Sequence, residues 1–310
     1  LIIDELEIVV SDNVLERPDT SETNVKVVFY SASKDGFEKL VFEKSCTKEH
    51  LNVLNTSGIQ PVLPEMRDNT WFVEWLKKHT ENDLLTDDHL LGSLHNHTTY
   101  SDGMHTLEEM ATYLKDLGYE YFGVCDHSKS AFYANGLQED RIIKQHNEID
   151  LLNEKLNPFK ILKGIESDIL MDGSLDYSAE VLKTFDFVVA SVHSVLRMDK
   201  DTATNRLIKA VENPYTSILG HPTGRLLLSR PGYPIDHKKV IDACASNNVV
   251  VELNANPMRL DIDYTWIPYC MERGVKVSIN PDAHRKECFH HMRYGVIAAR
   301  KGVLTKDMTL

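Results

Sequence analysis

The chain has 310 residues, with 34 Lys and Arg against 47 Asp and Glu, a formal charge of −13 at pH 7, and 42% hydrophobic residues. That composition excludes fibrous, collagen-like and disordered classes, and a chain of this size buries enough surface for one large or two unequal domains. The charge is uneven: residues 1–90 hold 9 basic against 18 acidic side chains and residues 91–310 hold 25 against 29, so the first segment lacks the basic footprint of a surface that grips nucleic-acid phosphates.

In chain order, residues 6–10 and 25–30 read as strands, 12–23 as a polar loop, 36–42 and 48–55 as short helices, and 60–64 as a Pro-bounded turn. Together they suggest a small α+β appendage. An acidic stretch at 80–88 without aromatic residues reads as a linker, which divides the chain into domains 1–88 and 89–310. From Gly92 onward one rhythm repeats: a short β-branched or aromatic run, a loop, then an amphipathic helix. The expected strands are 92–95, 121–125, 161–165, 187–192, 217–219, 249–253 and 275–279. Thr106 and Glu109 form a capping-box pair ahead of Leu107, Met110, Ala111, Leu114 and Leu117, and 138–156 and 236–246 read as further helices. Seven such units predict an α/β fold with a closed, seven-stranded (β/α) barrel.

Five cysteines, Cys46, Cys125, Cys244, Cys270 and Cys288, are odd in number and show no close pair, which fits a reducing compartment. No run approaches the roughly 18–20 apolar residues of a membrane helix, and no secretory leader is visible. The expectation is a cytoplasmic protein with no membrane partner.

The chemistry lies at the ends of the expected strands. They finish in His95-Asn96-His97 followed by Asp102, in Asp126-His127, in Glu166, in His193, in His221 and in Asp282-Ala283-His284. Each histidine taken singly reads as readily as an ordinary core or surface residue. Jointly they do not, because the C-terminal strand ends of a barrel converge on one face. Residues two apart on a strand also project to one side and can share an ion. Imidazole and carboxylate without thiolate suit Zn, Mn or Fe, and nine donors suit two or three divalent ions rather than one. Glu166, arriving alone from a middle strand, is the natural bridging carboxylate. Clustered ions of this kind generate hydroxide at neutral pH and clamp phosphoryl oxygens during in-line displacement, so phosphoester hydrolysis is the leading reaction class.

These motifs resemble the PHP (polymerase and histidinol phosphatase) superfamily. The likeness runs through residues 94–97 with 100–103, 125–128, 164–166 with 191–193, and 220–222 with 282–284. It implies a distorted seven-stranded barrel holding three ions: one on His95, His97, Glu166 and Asp282, a second on Glu166, His193 and His221, a third on Asp102, His127 and His284. The catalytic group it implies is His95, His97, Glu166, His193 and Asp282. Lys129, Arg197, Arg225 and Arg259 follow the motifs and are candidates for gripping phosphate, with Lys129 and Arg225 preferred. His105, His146, His237, His290 and His291 fall outside the pattern.

Within the superfamily, residues 126–130, 220–226 and 292–295 look most like the C-terminal PHP domain of bacterial family X DNA polymerases, and 37–52 and 58–67 resemble those proteins' thumb and Pro-bounded segment. Where the family's palm carries an Asp-x-Asp pair this chain has Glu5-Leu6-Glu7, and where a third Asp is due it has Val28. Valine ligates nothing, so polymerase chemistry is expected to be lost. The resulting expectation is a metal-dependent phosphoesterase acting on nucleic-acid ends, as a 3′–5′ exonuclease or end-processing enzyme. The rivals are a small-molecule phosphatase of the histidinol-phosphatase type, a non-catalytic metal-stabilised interaction module, and a working polymerase. Oligomeric state is not legible.

Overall fold

A computed structural model describes residues 9–11, 14–16, 28–30, 33, 36–57, 64–67 and 71–310. The chain divides into two compact units, Leu1–Lys78 and His79–Leu310. In the first, β1 (Val9–Ser11), β2 (Val14–Glu16) and β3 (Val28–Tyr30) form an antiparallel sheet in that order. The helices α1 (Phe37–Ser45), α2 (Lys48–Ser57) and α3 (Trp71–Leu76) follow. Strand β2 corrects the expected loop at 12–23, since three residues are too few to show a period. Glu5, Glu7 and most of the expected turn at 60–64 lie outside the described residues.

The unit boundary falls ten residues before the expected one. Leu84 and Leu85 are fully buried, Leu85 N donates to Leu304 O at 3.0 Å, and Leu84 pairs antiparallel with Thr305. Arg300 Nη1 donates to Leu85 O at 2.7 Å. Acidic neighbours give this segment the composition of a linker, yet two leucines and their backbone bonds make it part of the larger unit.

That unit contains all seven expected strands: β4 (Gly92–Ser93), β5 (Tyr121–Val124), β6 (Lys160–Asp168), β7 (Phe187–Ser191), β8 (Ile218–Leu219), β9 (Val250–Asn254) and β10 (Val277–Asn280). They form one parallel sheet in sequence order. Past the ends of β4 and β10 the sheet curls towards closure: Asn96 pairs parallel with Ala283, and His97 N donates to Ala283 O at 2.8 Å. The connecting helices are α4 (Leu107–Asp116), α5 (Glu139–Leu156), α6 (Ala179–Leu182), α7 (Lys200–Val211), α8 (His237–Asn247), α9 (Ile267–Glu272) and α10 (Met292–Lys301). The capping box of α4 is formed, with Glu109 N donating to Thr106 Oγ1 at 3.2 Å and Thr106 N to Glu109 Oε2 at 2.8 Å.

Alternation along the strands sorts the side chains. On β9, Val251 and Leu253 pack outward in the core shared with the helices, while Val250, Glu252 and Asn254 face the barrel axis. The axis is apolar at one end and polar at the other. Leu94, Cys125, Phe187, Val189 and Ile218 form the apolar plug. The Phe187 ring fits because β6 passes it with Gly164, where a Cβ would lie 2.2 Å from Phe187 Cζ. Above the plug, towards the strands' C-terminal ends, lie buried Glu166, Asp168, Glu252, Asn254, Asn280 and Ser278.

Candidate metal centre

The nine donor residues converge at this polar end in four overlapping groups, each with one donor atom per residue within 4.8 Å of the others. The groups are His97, Asp102, His127 and His284; His95, His97 and Asp282; His95, Glu166 and His221; and His127, Glu166 and His193. Glu166, fully buried on β6, is the hub. Its Oε1 lies 3.1 Å from His95 Nε2, 3.1 Å from His193 Nε2 and 3.0 Å from His221 Nε2. Its Oε2 lies 3.0 Å from His127 Nδ1 and 3.6 Å from His97 Nε2. Asp282 Oδ1 is 3.1 Å from His97 Nε2, and Asp102 Oδ2 is 3.4 Å from His284 Nε2. His193 and His221 fall in different groups, each reaching Glu166 beside another histidine, whereas the resemblance puts them on one ion.

Electrostatics couple the cluster. Burial opposes protonation of His193, but Glu166 and Asp168 prevail and hold its imidazole up at about 10. His284 is likewise held at about 9, burial being outweighed by Asp102 and Asp282. His97 goes the other way, to about 3, through burial and then its neighbours His284 and His127. Burial pushes Asp102 up, but His284, His97 and His127 outweigh it and hold the carboxyl at about 2. Glu166 is driven well below the ordinary range, its burial overcome by His193, His95 and His127.

These residues fit divalent metal. His95 Nε2, His97 Nδ1 and Glu166 Oε2 are buried without an aligned hydrogen-bond partner among the described residues, a cost that a coordinated cation would remove. Cys125 does not join them. Burial, then Glu166 and Glu252, push its thiol well up, so it stays protonated and the donor set is nitrogen and oxygen, as suits Zn, Mn or Fe.

The basic candidates separate. Arg225 is spent within the fold, donating from Nη1 to Asp263 at 2.6 Å, from Nε to Arg259 O at 2.8 Å and from Nη2 to Leu260 O. This removes the basis for preferring it as a phosphate grip. Lys129 is held by Glu139 at 2.8 Å over the Tyr177 ring. Arg259 does reach the site, with Nε 3.6 Å from Asp282 Oδ2. Arg197 is exposed and makes no ion pair among the described residues.

Sequence reasoning missed the supporting acids. Glu252 Oε1 accepts from His95 Nδ1 at 2.7 Å, and its Oε2 accepts from His221 N at 2.8 Å. Asp168 accepts from His193 Nδ1 at 2.5 Å. Asp126, named only as His127's neighbour, takes Thr98 N and Oγ1, Ser101 Oγ and Gln145 Nε2, and so fixes the loop that carries Asp102. The available signal for Glu252 was a lone acid inside an otherwise apolar strand.

A PHP-domain profile matches residues 93–256, which include seven of the nine donor residues. The chain belongs to the PHP-domain family. It is a PHP phosphoesterase, and such enzymes depend on metal ions. Among its relatives, the DNA polymerase/3′-5′ exonuclease PolX of Bacillus subtilis is 42% identical over 79% of this chain. The match covers 43% of PolX, so the PHP chain spans less than half the length of that relative. A probable phosphatase of Thermoanaerobacter is 30% identical over 52% of this chain and 68% of its own length. The fold is shared with the histidinol phosphate phosphatase of Lactococcus lactis, solved with Zn, L-histidinol and phosphate. That match has a TM-score of 0.50 and 17% identity, covering 69% of this chain and 94% of that one. No helix among the described residues is long and apolar enough to cross a membrane.

Proposed function

We propose that this PHP domain cleaves phosphoester bonds at DNA 3′ ends, as a 3′–5′ exonuclease or end-processing phosphoesterase. Two or three divalent ions (Zn, Mn or Fe) would be held by His95, His97, Asp102, His127, Glu166, His193, His221, Asp282 and His284. The observation that carries the reading is the overlap of four donor groups on or beside one buried carboxylate. Ions held there supply Lewis acidity to phosphoryl oxygens and make water a nucleophile at neutral pH. The chain's own residues set the geometry: Glu252 and Asp168 orient His95 and His193, Asp126 holds the loop bearing Asp102, and Arg259 offers a guanidinium at the mouth. DNA ends are favoured over small phosphomonoesters by the 42% likeness to a named 3′-5′ exonuclease. Loss of polymerase chemistry is favoured by Val28 in β3, where an acid is due.

The test is a metal-loaded sample assayed on single-stranded and 3′-recessed DNA, a 3′-phosphate end, histidinol phosphate and an aryl phosphate, with primer extension in parallel. Shortening from the 3′ end is expected, with no extension. It should vanish on chelation and return with metal, and Glu166→Ala should abolish it while the fold remains. Efficient turnover of histidinol phosphate with intact DNA would overturn the assignment, and full activity after metal stripping would sink the metal mechanism.

A further inference from the structure

The loop after β5 displays two adjacent aromatic side chains to solvent, Phe132 at 84% exposure and Tyr133 at 71%. Its backbone is firmly held. Leu137 N donates to His127 O at 2.9 Å and Gly136 N to Ala131 O at 3.1 Å, closing the loop on itself. Ser130 N donates to Asp176 Oδ2 at 2.6 Å and Ser130 Oγ to Asp168 Oδ2 at 3.0 Å. Ala131, Ala134 and Leu137 are buried beneath it. The fold therefore fixes the backbone and leaves the two rings uncovered, which is the construction of a preorganised contact surface.

The position of the pair indicates its occupant. Tyr133's ring centroid lies 6.0 Å from that of His127, edge towards face. A nucleobase is one sugar away from its phosphate, so this loop lies within reach of the base of a phosphate held at the cluster. Exposed cations follow two of the donors in sequence, Arg197 four residues beyond His193 and Arg285 next to His284, neither in an ion pair among the described residues. Exposed aromatics interleaved with cations suit single-stranded nucleic acid, whose bases stack without sequence preference.

We propose that Phe132 and Tyr133 form a stacking platform for the unpaired terminal bases of a DNA strand, making single-stranded 3′ ends the substrate of this site. The inference rests on the DNA-end reading above. Its test uses the full metal-loaded chain and the variants Phe132→Ala, Tyr133→Ala and Tyr133→Phe. The substrates are a single-stranded oligonucleotide, the same oligonucleotide ending in two abasic nucleotides, and glycerol phosphate. Tyr133→Ala should raise the oligonucleotide KM roughly tenfold or more with kcat less affected, Phe132→Ala should act in the same direction, and Tyr133→Phe should stay near the wild type. The ratio of oligonucleotide to glycerol phosphate kcat/KM should fall accordingly. Abasic ends should cost the wild type as much as Tyr133→Ala does, and should cost that variant little more. DNA cleavage with one KM for wild type and both Ala variants overturns the platform alone. So does a Tyr133→Ala variant that changes oligomeric state with an unchanged KM, which would assign the pair to contact between copies. Hydrolysis of glycerol phosphate with no cleavage of any oligonucleotide fails the DNA-end reading itself and takes the platform with it.

Discussion

Glu252 shows how much of this site depends on a residue outside the donor groups. It is fully buried, and each of its oxygens is engaged, by His95 Nδ1 and Asn280 Nδ2 on one and by His221 N on the other. Accepting from Nδ1 leaves His95 Nε2 facing Glu166, the orientation in which it can bind an ion. Glu252→Ala should therefore lose metal affinity by roughly 10- to 100-fold, read by chelator competition. Glu252→Gln, which keeps an acceptor oxygen, should lose less. Equal affinity in all three proteins, with the fold intact by circular dichroism, would show that His95 is oriented by something else. The residue scale was legible in the sequence for the donors and not for their supports. Histidines placed two apart or next to an Asp at strand ends announce themselves. Glu252 and Asp168 do not, because an acid within a strand takes its meaning only from the partner that the folded barrel sets across the axis. Arg225 shows the same limit in reverse, since its proximity to His221 in sequence suggested phosphate and its neighbours in space are Asp263 and two carbonyls.

At the scale of elements, seven strands were legible because each is a short β-branched or aromatic run followed by a loop. The ends were less so. Strand β6 runs on through Ser167 and Asp168, polar residues that read as loop but face or flank the polar interior. Closure was expected from the count of seven strand–helix units, but where the seam is made was not readable, because it lies beyond the strands in the pairing of Asn96 with Ala283. Helix α10 supplies a case where two local effects oppose each other. A glycine inside a helix costs about 1 kcal/mol relative to alanine, so Gly295→Ala should stabilise on propensity alone. Its added Cβ, however, would lie 2.5 Å from Ile279 Cγ2 and 2.7 Å from Ala255 Cβ. Overpacking of a close contact costs roughly 1–3 kcal/mol, and here the helix sits directly on β10 with no room to give. Gly295→Ala should thus be destabilising by roughly 1–2 kcal/mol in denaturant unfolding. Combining it with Ile279→Ala should recover part of that coupling. A more stable single variant would mean that α10 can shift off the sheet freely. The motif at 292–295, seen in the sequence only as a family likeness, has this packing as one physical reason.

Over the whole molecule, the division of the chain sets what can function alone. Composition suggested a cut at 88, after a stretch, 80–88, in which four acids accompany two leucines. The structure assigns 79–90 to the barrel unit through Leu84, Leu85 and Leu90, all at most 8% exposed. Burying a leucine side chain contributes roughly 1.5–3 kcal/mol, so three together contribute about 5 kcal/mol or more. The hydrogen bonds between Leu85 and both Leu304 and Arg300 add to this. Net stabilities of domains are only about 5–15 kcal/mol, so losing this segment removes a large share of the total. A chain starting at His79 should therefore unfold cooperatively and retain bound metal and phosphoesterase activity. One starting at Leu91 should melt far lower or fail to fold, because the apolar faces around Leu304 and α10 would be left open. Thermal unfolding with metal content measured on both chains checks this. Equal melting of the two would mean that the leucines lie on the barrel without supporting it, and would move the functional boundary back to 88. The same comparison tests where the excess negative charge belongs: removing residues 1–78 strips 14 of the 47 acids and all 9 bases of the first segment. If that segment takes no part in catalysis, hydrolysis at DNA ends should persist in the chain starting at His79 with its dependence on metal unchanged.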